Sequence, residues 1–76
     1  MMKDIFNIAE QEGLFFVAPI TAQNNGRYVI QCRSKIEAQQ TIQRINSNQQ
    51  PTPLEDETRY VKIEEVAGTP IYQIKG

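Results

Sequence analysis

The chain has no histidine. That removes the Ser-His-Asp arrangement, the cysteine-histidine pair and the usual zinc hydrolase as solutions within one chain. It has one cysteine, so it cannot close an internal disulfide, and a zinc site would need three more ligands without imidazole. The four glycines are scattered at positions 13, 26, 68 and 76, and none sits in a phosphate-cradling loop between a strand and a helix. No apolar run approaches the length of a membrane span. The opening residues carry one lysine, then at once an aspartate, and no long apolar segment, which does not fit a secretory leader. These absences set the expectation of a cytoplasmic protein with no cofactor, no metal and no catalytic role.

Charge of one sign is also lacking. Eight basic against nine acidic residues leave a net charge of -1, whereas a protein gripping duplex nucleic acid ordinarily carries a basic excess. Glu55, Asp56 and Glu57 lie together but without the alternating oxygen ligands and central glycine of a calcium loop, so they read as a solvated acidic turn. Cys32 has Arg33 beside it in sequence, yet alternation sends the two side chains to opposite faces and leaves the thiol as a small buried hydrophobe.

What is present is a short chain able to fold. With 76 residues, 39% of them hydrophobic and 22% charged, it suits one domain spanning 1-76 that buries roughly 60% of its unfolded surface. Its most legible stretch is residues 26–46. Tyr28, Ile30 and Cys32 alternate with Arg27, Val29, Gln31 and Arg33, the period of a strand with one buried face. Ser34 precedes Glu37 by three positions, which predicts a helix start in which the serine oxygen accepts from amide 37 and the glutamate returns to amide 34. Ala38, Thr41, Ile42 and Ile45 then form one apolar stripe, and Asn46, Ser47 and Asn48 end the helix.

The flanking segments are read from the same rules. Asp4 caps an expected short helix from Ile5 to about Glu12, with Ile5, Ile8 and Ala9 on one side and Gly13 as its stop. Leu14 to Ala18 form a strand greasy on both faces, and Asn25-Gly26 turns it antiparallel onto the strand of residues 27–33. Residues 47-57, with Pro51, Pro53 and three acids, read as a flexible internal loop. Period two resumes in residues 58–65 and 70–75, joined by Ala67-Gly68-Thr69, with Val61, Ile63, Tyr72 and Ile74 facing the core. The expected fold is therefore α+β in the order αββαββ: one small antiparallel or mixed four-stranded sheet, the central helix on one face and a short N-terminal helix.

Function follows from the second sheet face. With Leu14, Phe16 and Ala18 pointing at the central helix, Phe15, Val17, Val29, Tyr60 and Ile71 would line the opposite face, with Arg27 and Lys62 at its rim. That surface suits a non-catalytic protein-interaction module, a subunit, adaptor or inhibitor of a larger protein, with Tyr60 and Ile71 as anchors. Two alternatives use the same face: a nucleic-acid binder whose rings stack bases while Arg27, Arg33 and Lys62 meet phosphates, and a structural homodimer closing face on face.

Overall fold

The helix stands where Ser34 sets it. In the computed structural model, which describes residues 4–75, α1 spans Lys35–Asn46 and Ser34 Oγ accepts from the Glu37 amide at 3.0 Å. The return bond differs from expectation: Glu37 Oε1 accepts from the Arg33 amide at 3.0 Å, because the extended Ser34 backbone presents the preceding N–H to the carboxylate. Together the two bonds satisfy amides that a bare helix end would leave open, a contribution of about 1 kcal/mol. Ala38, Thr41 and Ile45 are buried, Ile42 is half-buried, and Ile36 stays 66% exposed. Asn48 closes the helix in the left-handed region at φ 60°, where the Gln49 amide returns to the Arg44 carbonyl at 2.8 Å and the Asn48 amide to Ile45. A short polar side chain at that position tolerates the conformation that ends helices.

Five strands accompany it: β1 Phe6–Gln11, β2 Leu14–Pro19, β3 Val29–Cys32, β4 Tyr60–Val66 and β5 Thr69–Ile74. They form one mixed sheet in the order β1-β2-β3-β5-β4, antiparallel throughout except for the parallel pair β3 and β5. The order is thus βββαββ rather than αββαββ, a five-stranded sheet with a single α-helix among the described residues. The expected N-terminal helix of Ile5 to Glu12 is the edge strand β1. Its apolar residues fit a helical spacing, but two turns of helix gain little alone, whereas Phe6–Gln11 pair with β2 along their whole length. Glu12 and Gly13, at φ 55° and 79°, make the two-residue turn with both residues left-handed that joins twisted antiparallel strands. The glycine that reads as a helix stop is a hairpin turn.

Backbone bonding fixes which way each strand faces. Ile5 gives its N–H to Thr21 Oγ1 and takes the Ile20 N–H on its carbonyl, both at 2.8 Å, so Ile5, Asn7, Ala9 and Gln11 address β2 while Phe6, Ile8 and Glu10 address the outer edge. Pro19, opposite Phe6, has no N–H to offer β3, and the β2–β3 ladder runs only from Phe15 with Cys32 to Val17 with Ile30. Facing partners share a sheet face, which puts Phe15, Val17 and Pro19 on the side of Ile30 and Cys32, under α1. Leu14, Phe16 and Ala18 therefore point away from the helix, the reverse of the sequence reading. Both faces of this strand are apolar, so alternation alone could not choose between them.

The second correction concerns β4. Tyr60 pairs with Ile74 and Lys62 with Tyr72, so Tyr60 joins the helix side, and a bulge between Lys62 and Glu64 then shifts the alternation. Val61 and Ile63, expected in the core, are 45% and 40% exposed, while Tyr60 is 3% exposed. The core consists of Val17, Tyr28, Ile30, Cys32, Ala38, Ile45, Tyr60 and Tyr72, with Phe6, Ile8, Phe15, Ile42 and Ile74 packed against it. The helix covers β2 and β3. Over the start of β4 the cover is residues 50–53: Tyr60 donates its hydroxyl to the Pro51 carbonyl and accepts from Gln50 Nε2 at 3.0 Å, and Thr52 and Pro53 are buried. Asp56 caps a short 3-10 helix, Glu57–Arg59, that leads into β4.

Candidate interaction face

One face of the sheet carries the helix and the 50–53 segment; among the described residues no α-helix lies against the other. Register places Ala9, Phe16, Gln31, Gln73 and Val61 in one row across that open face. A neighbouring row runs through Asn7, Ala18, Val29, Ile71 and Glu64. Each residue is there because its strand alternates and its opposite neighbour is committed to the core. Val29 lies between the buried Tyr28 and Ile30, and Ile71 precedes the buried Tyr72. Across β1, β2, β3 and β5 the two rows hold no charged side chain; Glu64 stands at the β4 edge.

At one end of this face the rows open into a groove of about 330 Å³. Val29 and Ile71, paired across the parallel strands, lie beside Ala18, with Ile20 and Val66 52% and 53% exposed at its sides. Asn7, Asn25 and Thr69 supply polar groups at the rim, and Thr69 Oγ1 donates to the Gly26 carbonyl at 2.9 Å. That bond ties the turn before β3 to the start of β5. The groove is apolar in its walls, amide and hydroxyl at its margin, and without a charged side chain; the buried Tyr28 also lines it. It can hold an aliphatic or aromatic side chain.

Of the seven residues expected on this surface, the structure brings together Val29 and Ile71. Phe15, Val17 and Tyr60 face the helix side, for the reasons of register and bulge given above. Lys62 shares that side through its pairing with Tyr72 and bonds to Glu65 at 2.8 Å. Arg27 is exposed, just before β3 begins. Ala18, Phe16, Ile20 and Val66 belong to the open face and were not read from the sequence. The two-faced greasiness of Leu14 to Ala18 was the available signal, since whichever set missed the core had to lie opposite.

The remaining chemistry is inward. Cys32 is fully buried with its sulfur 3.9 Å from Thr41 Oγ1, and burial pushes its thiol up from the ordinary value. Burial likewise pushes up the Tyr60 phenol, with the Gln50 bond opposing, and the Tyr28 phenol, to which the Asp4 carboxylate adds. The Tyr28 hydroxyl is buried and has no hydrogen-bond partner among the described residues. No group of three or more acidic, histidine or cysteine side chains comes together as a metal site among the described residues, and no helix among them is long and apolar enough to cross a membrane. No protein-family model, curated protein or solved structure matches this chain.

Proposed function

We propose that the protein is a non-catalytic protein-binding module that docks an apolar segment of its partner into the groove of Val29, Ile71, Ala18, Ile20 and Val66. The observation that carries this reading is the absence of charge from the groove and from the central rows of the open face, combined with its apolar walls. A phosphate backbone would find no cation there, and of the rings beside it Tyr28 is fully buried and Phe16, in the neighbouring row, is half-buried, which leaves little face for a stacked base. An apolar side chain rimmed by amide and hydroxyl groups is what such a surface receives best. The reading keeps the anchor Ile71 and replaces Tyr60 with Val29.

The test uses Ile71→Lys, which places a charge in the groove from a half-buried position, with circular dichroism to check the fold. The wild-type chain and this variant serve as baits in source cells, and any partner recovered is purified and titrated by calorimetry. The expected result is binding to the wild type and a loss of at least about tenfold for the variant, the effect of removing an interface anchor. Equal affinity of a folded Ile71→Lys for the partner overturns the assignment of the groove.

A further inference from the structure

The two edges of the sheet differ in how they are protected, and the difference points to a second copy of the chain. The β4 edge carries a bulge between Lys62 and Glu64 and a lysine along its length, both devices that discourage an incoming strand. The β1 edge, Phe6–Gln11, has neither: no proline, no lysine, and no interruption in its register with β2. Among the described residues nothing pairs with its outer side. Because Ile5 spends both backbone groups on residues 20 and 21, alternation leaves the N–H and C=O of Phe6, Ile8 and Glu10 directed outward.

We infer that β1 pairs antiparallel with β1 of a second copy about a two-fold axis at Ile8, joining two five-stranded sheets into one. This inference rests on the edge of the sheet and is independent of the groove. Three observations favour a copy over a foreign strand. With the axis at Ile8, the three outward residues of each strand all find partners: Ile8 opposite Ile8 of the second copy, Phe6 opposite Glu10 and Glu10 opposite Phe6. Every other register with matching faces sets at least one of them opposite a residue outside β1. The same register sets no like charges opposite one another between Phe6 and Glu10, and places half-buried Phe6 and Ile8 side chains of both copies on one face where they meet. Finally, a net charge of -1 gives two copies little mutual repulsion. The axis stands perpendicular to the sheet, so both helices lie on one side of the joined sheet and both open faces on the other.

Sedimentation equilibrium over a wide concentration range, run alongside hydrogen exchange on the wild-type chain, tests this directly. The expected result is a monomer–dimer equilibrium in which the amides of Phe6, Ile8 and Glu10 gain protection as concentration rises, while outward β4 amides and the groove do not respond. Glu10→Pro removes one outward donor without touching the bonds from β1 to β2, and should weaken dimerisation by about tenfold or more. Glu12→Lys, which approaches Asp4 of the second copy in this register while leaving the magnitude of net charge unchanged, should strengthen it. A monomer at every concentration overturns the inference. So does a dimer whose protection appears at β4 or on the open face, or one that Glu10→Pro leaves intact.

Discussion

The two hairpins of the sheet are closed by the same turn and behave differently. Glu12-Gly13 joins β1 to β2 and Ala67-Gly68 joins β4 to β5, each with both residues in the left-handed region: φ 55° and 79° in the first, 51° and 84° in the second. The first hairpin keeps an unbroken register along Phe6–Gln11, and its inner strand places Val17 and Pro19 in the core. The second is bulged, and beyond Tyr60 every residue of β4 is exposed. Identical turn chemistry thus joins an inner strand that reaches the core, β2 or β5, to an outer strand in both hairpins, but β1 keeps its register while β4 is bulged and fastened to the core at a single buried tyrosine, Tyr60. A turn decides that two strands meet; the neighbours of those strands decide what the meeting buries.

The sharpest way to break this comparison is to truncate one valine in each hairpin. Val17→Ala, at a fully buried position, should destabilise the fold by about 2 kcal/mol through lost transfer energy and a residual cavity. Val61→Ala, 45% exposed, should change it by less than about 0.5 kcal/mol. Urea unfolding of the two variants measures both, and equal losses would mean that β4 contributes to the core as strongly as β2.

The attachment of β4 can be weighed against Tyr28, which lies just before β3. Tyr60→Phe removes the bonds to Pro51 and Gln50 and should cost about 1 kcal/mol, whereas Tyr28→Phe deletes a buried hydroxyl without a partner among the described residues and should be neutral or stabilising. The same groups set an alkaline limit. Cys32, Tyr28 and Tyr60 are held above their ordinary values by burial, so the unfolded chain releases these protons first. Their contribution is complete below the ordinary thiol value of 9.0 and is lost as pH rises through that value and the ordinary phenol value of 10.0 toward the raised folded values. Urea midpoints measured from pH 8 upward should fall, and Tyr28→Phe should flatten the decline.

The smallest effect tests the shared turn. Asparagine accepts the left-handed region more readily than glutamate or alanine, so Glu12→Asn and Ala67→Asn should each stabilise by about 0.5 kcal/mol. Thermal unfolding would register the gain. Stabilisation at only one of the two turns would show that the hairpins differ in their turns as well as in their surroundings.

Part of this architecture was legible in the residues alone. Ser34 with Glu37, the stripe of Ala38, Thr41 and Ile45, and the stop at Asn48 are local statements, because capping, helical spacing and the left-handed close each involve residues within one or two turns of one another. The alternation of Tyr28, Ile30 and Cys32 is local in the same sense, and so is the turn at Ala67-Gly68. The sequence also determined that the chain would carry no histidine-based site, whatever its fold. Tertiary structure decided the rest. Phe6–Gln11 became a strand because β2 offered it a full ladder of backbone partners, a stabilisation that no window of residues 5–12 contains. The facing of β2 was set by its register with β3, and that of β4 by a bulge; a shift of one residue in either exchanges the buried and exposed sets completely. For that reason Tyr60 lies in the core and Ala18 on the open face. The groove, made from all five strands, which meet only after those registers are fixed, could not be read before them.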